Sequence, residues 1–272
     1  MSEHEVVADS PAPATADSLL GQLTKLPLPD DATVLVHSSL SHLGWVAGGA
    51  QAAVDALVRW VGPSGTLVMP THGGMSEPSL WRNPAVPESW WPVIRDHAPA
   101  FDPRQTPTRM MGAIVDCFRS REQSLRSDHP ALSFAASGPA ARAIVGSHSL
   151  DDGLGESSPL ARIEALNGFV LLLGVGHANN TSLHLAEHRA RCGGKRWVTQ
   201  GSAVMVDGRR RWITYRDLDY DSHDFEALGA DFSSTGGETS STVGTGEAKL
   251  MRQRALLDFA QTWFEQNRPA QS

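Results

Sequence analysis

The sequence predicts an α/β fold, a single large domain of alternating strands and helices with a small antiparallel appendix. Residues 33–36 and 66–70 are apolar runs of strand length, and AQAAVDALVRWV between them repeats apolar residues at helical spacing. Strand, helix and strand in that order predict a right-handed crossover between parallel neighbours. Residues 170–173 form another unbroken apolar run, closed by Gly174-Val175-Gly176 and followed by a helix-like segment. Asp207-Gly208 sits within the alternating segment 197–215, a two-residue hairpin signal.

The remaining elements follow in order. Residues 1–17, rich in Ala, Pro, Ser and Asp, lack the basic start and apolar core of a signal peptide and are expected to form a disordered leader. The domain is then 18–272. Residues 18–26 suggest a short helix before a Pro-rich turn, and Gly48-Gly49 opens the crossover helix that GPSG ends. Between 71 and 108 regular pattern is lost: seven prolines and Trp81, Trp90 and Trp91 mark a long functional loop or a subdomain. Helices are expected at 111–119 and 139–145, with a strand at 132–136. Ser158-Pro159 starts another helix, proline at its first position. Thr181 or Asn180 caps the helix carrying His184 and Glu187. The acidic segment 217–231 and the Ser/Thr/Gly-rich stretch 233–246 read as irregular, and a last helix runs to about residue 265.

Composition narrows the function classes. At 272 residues with 40% hydrophobic content, the chain has enough apolar side chain for a substantial core. A net charge of -7 disfavours nucleic acid and anionic membranes and suits a cationic partner. Two cysteines, Cys117 and Cys192, imply no disulfide framework and point to a reducing cytoplasm. No apolar run reaches transmembrane length.

His184 and Glu187, three apart on one helix, pair an imidazole that titrates near neutrality with a carboxylate, the equipment of a general base. His184-Leu-Ala-Glu187-His188 also spells the inverted zincin pattern H-x-x-E-H, and Glu265 is a tempting third ligand. Against zinc, Glu265 lies in a polar helix end where a solvated charge is the default. Cys192 with His184 suggests a thiol nucleophile, although a small incidental cysteine after a helix is the commoner case. Ser38 or Ser39 with His184 suggests a hydrolase, but neither serine sits in a G-x-S-x-G elbow. His37-Ser38-Ser39 ends a strand where hydroxyls and free N–H groups suit a phosphate or pyrophosphate, and ordinary capping is an equal reading. Main-chain N–H groups there are also candidates for stabilising an oxyanion. His129-Pro130 reads as a turn anchor. In DLDYDSHDFEALGAD, carboxylates interleave with Tyr220 and Phe225, a composition suited to a polyamine or amino sugar.

Seven collinear blocks resemble the aminoglycoside 3-N-acetyltransferases, or antibiotic N-acetyltransferases. They are VHSSLSHLGWVAGGA (36–50), GPSGTLVMPT (62–71), FDPRQTPTRMMGAI (101–114), RSDHPALSFAASGP (126–139), GESSPLARI (155–163), LLLGVG…NTSLHLAE (171–187) and DYDSHDF (219–225). The resemblance implies a layered αβα sandwich-like domain, acetyl-coenzyme A as co-substrate with no metal, and a cationic 2-deoxystreptamine aminoglycoside as acceptor, acetylated on its 3-amino group. It implies antibiotic resistance as the outcome and His184 as general base, supported by Glu187, acting in a ternary complex. His37, Ser38, Ser39, Thr71, Met111, Gly112 and Ala113 match positions lining the coenzyme groove. Asp221 with Asp219, Asp224, Asp102 and Tyr220 match the antibiotic side. A cytoplasmic monomer or homodimer is expected, binding neither nucleic acid nor membrane. The chain departs from the family pattern in its short 233–246 stretch and in His72, where a small polar residue is expected. The alternatives are another amine as acceptor, or a zinc hydrolase built on His184, Glu187 and His188.

Overall fold

A seven-stranded mixed sheet with helices on both faces forms the body of the chain, and a two-stranded hairpin packs beside it. The computed structural model describes residues 2–82 and 84–268; residue 1 of the expected leader and residues 83 and 269–272 of the expected 18–272 domain lie outside the described residues. In chain order the elements are α1 (Glu3–Asp9), α2 (Ala16–Leu23), β1 (Thr33–Ser38), α3 (Gly49–Val61), β2 (Thr66–Pro70), α4 (Trp91–His97) and α5 (Ala113–Arg119). They continue with β3 (Leu125–Arg126), β4 (Phe134–Ser137), α6 (Ala141–Val145), α7 (Pro159–Ala165), β5 (Phe169–Leu173) and α8 (Ser182–Arg189). The hairpin β6 (Trp197–Val206) and β7 (Arg209–Leu218) follows, then α9 (Phe225–Ser234), β8 (Glu238–Val243), β9 (Gly246–Arg252) and α10 (Gln253–Asn267).

Sheet order is β3-β4-β2-β1-β5-β9-β8. The central trio β2, β1 and β5 is parallel, its β1–β2 pair as the crossover predicts, and antiparallel strands complete both edges. These central strands read as unbroken apolar runs because both of their faces are covered. Val34, Val36, Leu171 and Leu173 point into one core with Val54 and Leu57 of α3. Leu35, Val170 and Leu172 point into the other, against Leu160 and Ile163 of α7 and Leu256 of α10. This is the expected αβα layering. It leaves the carboxyl ends of β1, β2 and β5 side by side, where open α/β sheets place ligands.

The hairpin forms where Asp207-Gly208 predicts it. Both residues have positive φ, 51° and 72°, the geometry of a type I′ turn whose twist matches its strands. The proline-rich loop wraps this hairpin: Phe101 N–H donates to the Ala203 carbonyl at 2.9 Å, and Ser202 Oγ donates to the Met75 carbonyl. That loop also contains α4, with Pro92 in its first turn.

Three expectations are corrected. The expected disordered leader carries helix α1, closed by a Ser2–Glu5 capping box, with Val6 buried and Ala14 bridged to Val46. The acidic segment is not irregular throughout, since α9 occupies its second half with Phe225, Leu228 and Phe232 in the core. The largest difference is at 233–246, which holds β8 and the turn into β9 rather than loop. Strand β8 is a sheet edge whose Ser and Thr side chains face water, so its composition resembles a loop. Among the described residues no helix is long and apolar enough to cross a membrane.

Candidate active site

Strand β5 ends at Gly174, whose φ of 69° turns the chain sharply towards α8. The helix start is secured by Asn180, whose Oδ1 accepts the Ser182 N–H at 3.2 Å; Thr181 makes no side-chain cap. Leu183, Leu185 and Ala186 anchor α8 in the core, which fixes His184 and Glu187 on the adjoining face. His184 Nδ1 lies 2.9 Å from Glu187 Oε2. The carboxylate accepts, so Nδ1 carries the proton and Nε2 keeps its lone pair. The imidazole is flanked by Tyr220 and Phe225, at centroid separations of 4.9 and 4.8 Å. Its side chain remains 15% exposed, whereas that of Glu187 is 3% exposed, so the imidazole is reachable and its partner is not.

Behind Glu187 stands a second layer. Arg268 Nη1 donates to Glu187 Oε1 at 2.6 Å, its Nε and Nη2 grip Asp224 at 2.7 and 2.5 Å, and Nη2 also reaches the Asp221 carbonyl at 2.9 Å. On the other side of the imidazole, Tyr220 donates its hydroxyl to Asp217 Oδ1 at 2.8 Å and accepts the Leu154 N–H at 3.0 Å. Burial pushes the Asp217 carboxyl up to about 6. It also pushes the Tyr220 phenol above its ordinary value, with the Asp217 charge adding to the effect.

The ends of β1 and β2 contribute further imidazoles. Burial pushes His37 and His72 each down to about 3, with the charge of nearby His184 acting in the same direction. His37 Nε2, Ser38 Oγ and His72 Nε2 are buried with no hydrogen-bond partner among the described residues. Below them, His129 Nδ1 accepts the N–H groups of Ala131 and Leu132, confirming a turn anchor. His148 bonds Ser127 and the Gly153 carbonyl, and burial pushes it down to about 4.

Comparison with known proteins decides what this arrangement belongs to. The model of the family described as aminoglycoside 3-N-acetyltransferase matches residues 35–265. The chain belongs to the aminoglycoside 3-N-acetyltransferase family. It is 39% identical over 97% of its length, and 97% of the relative's, to the SPbeta prophage-derived aminoglycoside N(3')-acetyltransferase-like protein YokD of Bacillus subtilis. The crystal structure of YokD superposes with a TM-score of 0.93, covering 97% of this chain and 98% of that one. A structure described as AAC-IIIb binary with CoASH superposes at 0.85, with 28% identity, 96% of this chain and 100% of that one. One described as sisomicin-bound AAC-VIa superposes at 0.86, with 30% identity, 94% of this chain and 100% of that one.

For a member of the aminoglycoside 3-N-acetyltransferase family, the expected site residues fall into three groups. Glu187, Tyr220 and His37 gather around His184, and Ser38 follows His37 at the end of β1 with its hydroxyl buried. Met111 and Gly112 lead into α5, which Ala113 opens; Gly112, at a φ of 86°, and Ala113 are exposed, and Met111 is partly buried. Ser39 closes on His42 Nδ1 at 2.7 Å, and its N–H, a candidate for an oxyanion, instead donates to the Leu173 carbonyl at 3.0 Å. The others are engaged elsewhere. Thr71 is fully buried, its hydroxyl bonded to Ser133 and Arg126, so its side chain does not line a groove. Asp224 is held by Arg268 and is no free carboxylate, while Asp219 pairs with Arg196. Asp221 faces water beside His223 at 2.7 Å. Asp102 caps the turn at Arg104 and Gln105, and lines a surface cavity of about 820 Å³ with Asp128, Val204 and Met205, a lining that does not include His184.

The rival motifs do not assemble. His188 turns to Asp152, 3.7 Å away, and to the edge of Trp197, while Glu187 is engaged by His184 and Arg268. Glu265 accepts the Arg191 N–H at 2.9 Å. Burial pushes the Cys192 thiol up, away from a reactive thiolate. Arg268 and Asp217 escaped notice in the sequence. Asp217 was one acid among several, and nothing near Arg268 marks a partner 81 residues away.

Proposed function

We propose that the protein transfers an acetyl group from acetyl-coenzyme A to the 3-amino group of a 2-deoxystreptamine aminoglycoside, and so confers resistance to it. The observation that carries this reading is the His184–Glu187 pair, with its Nδ1 proton fixed and its opposite nitrogen accessible at the carboxyl ends of the parallel strands. The buried, unpartnered atoms of His37, Ser38 and His72 supply polar groups suited to a co-substrate of amide and thioester bonds. The co-substrate supplies the electrophilic acetyl carbonyl.

An aminoglycoside amine is mostly protonated at neutral pH and cannot attack in that form. Asp221, the carboxylate of the 217–224 segment that faces water, holds the cationic acceptor, while Asp217, Asp219 and Asp224 are engaged by Tyr220, Arg196 and Arg268. His184 Nε2 removes the amine proton as nitrogen bonds to the acetyl carbon, and Glu187 stabilises the resulting imidazolium through Nδ1. The C–S bond then breaks, the departing thiolate takes the proton held by the His184 imidazolium and leaves as the thiol, and the other ammonium proton passes to solvent. Both substrates are bound together, so no acetylated side chain is required. His37 and His72, held neutral by burial, add no positive charge beside the approaching cation.

The test is thiol release from acetyl-coenzyme A across a panel of aminoglycosides and simple amines. Release that depends on an added 2-deoxystreptamine aminoglycoside, and falls by about 10² or more in His184→Ala, is expected. Release independent of acceptor, equal with simple amines, or undiminished in the variant would overturn the proposal.

A further inference from the structure

We propose that Arg268, the residue closing α10, is a positioning residue that acts on the base through Glu187. The inference rests on the base assignment above and extends it by a residue that approaches neither nitrogen of His184. Its guanidinium is the hub of a continuous chain, His184 Nδ1–Glu187–Arg268–Asp224, whose links span 2.9, 2.6 and 2.5 Å. The Arg268 and Asp224 side chains are both 12% exposed and that of Glu187 is 3% exposed, so all three are largely removed from water.

Two consequences follow from that burial. Without a cation between them, the Glu187 and Asp224 carboxylates would be left close together in a poorly solvated site. One of them would then take up a proton. A protonated Glu187 has a donor of its own and no longer dictates which imidazole nitrogen carries hydrogen. With Arg268 present, one carboxylate oxygen is committed to the guanidinium, which leaves Oε2 for Nδ1. The planar fork also fixes the carboxylate's rotation, a function a point-charge ammonium reproduces only in part. Packing of the guanidinium carbon 4.4 Å from the Phe264 ring centroid restrains the arginine in turn. Through the Asp221 carbonyl and Asp224, the same side chain pins the acidic segment on which the acceptor is held. Base and acceptor wall are thereby kept in one register.

The experiment is a double-mutant cycle on turnover with Arg268→Met and Glu187→Gln, thermal unfolding being recorded for each variant. If Arg268 acts through Glu187, Arg268→Met lowers kcat by about 10- to 100-fold with the acetyl-coenzyme A KM nearly unchanged, and adds little on the Glu187→Gln background. Arg268→Lys, which keeps the charge and guards against misfolding of the methionine variant, is expected to fall between wild type and Arg268→Met. In Arg268→Ala, added guanidinium should restore part of the lost kcat, whereas equal ionic strength as sodium chloride should not. Multiplicative losses in the cycle, or no guanidinium rescue in a folded variant, would overturn the inference while leaving the base assignment standing. Full turnover in Glu187→Gln would overturn the role of Arg268 through Glu187, and full turnover in His184→Ala would overturn the base assignment itself.

Discussion

Acidification from pH 7 to pH 5 should destabilise this protein by an amount its buried histidines set. His37 and His72 are pushed down to about 3 and His148 to about 4, chiefly by burial. In the unfolded chain each would titrate near 6.5. A histidine of this kind takes up its proton only on unfolding. Its stability contribution is therefore intact above pH about 6.5 and is lost as pH falls towards the folded value. Between pH 7 and 5 each of the three costs about 2 kcal/mol. Asp217 works the other way. Its folded value, raised to about 6, lets the native state bind a proton that the unfolded chain, near 3.8, binds later. It offsets about 1 kcal/mol. The net loss is about 4–5 kcal/mol, comparable with the whole stability of many domains, and His129, also lowered by burial, adds to it. Urea unfolding followed by tryptophan fluorescence at pH 7, 6 and 5 measures this. From these four groups the slope near pH 5.5 should correspond to about two protons taken up on unfolding, and His129 makes it steeper. His148→Gln, which removes one titrating group, should flatten that slope by about one proton. Stability that is level from pH 7 to 5, or a slope unchanged in the variant, would refute the reasoning.

Other expectations are more local. If the 217–224 carboxylates hold a polycation, raising sodium chloride from about 0.05 to 0.5 M should increase the aminoglycoside KM several-fold with a smaller effect on kcat. Steady-state kinetics at fixed acetyl-coenzyme A reads this, and a salt-independent KM would count against electrostatic docking. Two glycine substitutions should separate backbone strain from crowding. Gly208 has a φ of 72° with no atom near its would-be side chain, so Gly208→Ala should cost about 1 kcal/mol, or about 2–4 °C in Tm. In Gly229→Ala the new Cβ would sit 2.2 Å from His177 Cγ, and the loss should be at least threefold larger. Equal melting shifts for the two would contradict the crowding argument.

Local signals marked the chemistry better than they marked the sheet. The glycine exit from β5, the His184–Glu187 spacing and the Asp207-Gly208 turn arise within a few residues, where sterics and helical periodicity act directly, and the β1–β2 pair follows from a single crossover. Strand β9 was not legible because its partner β5 lies far upstream, and β8 is a polar edge strand paired only with β9. Ala248, Leu250 and Met251 acquire their core positions only by lying against β5. Helix α1 was hidden by a composition typical of unstructured segments; its single buried residue, Val6, finds its cover only in the folded body.

The sequence by itself placed the His184 imidazole beside the Glu187 carboxylate, because one helical turn brings them together. Only the tertiary structure decided which other groups surround them. Thr71 and Asp224, which match ligand positions by order in the chain, are drawn into hydrogen bonds with Arg126 and Arg268. Arg268, from the far end of the chain, becomes the neighbour of Glu187. Burial supplies the physical reason. Once removed from water, a carboxylate or hydroxyl must find a partner, and only the folded chain shows which one is within reach.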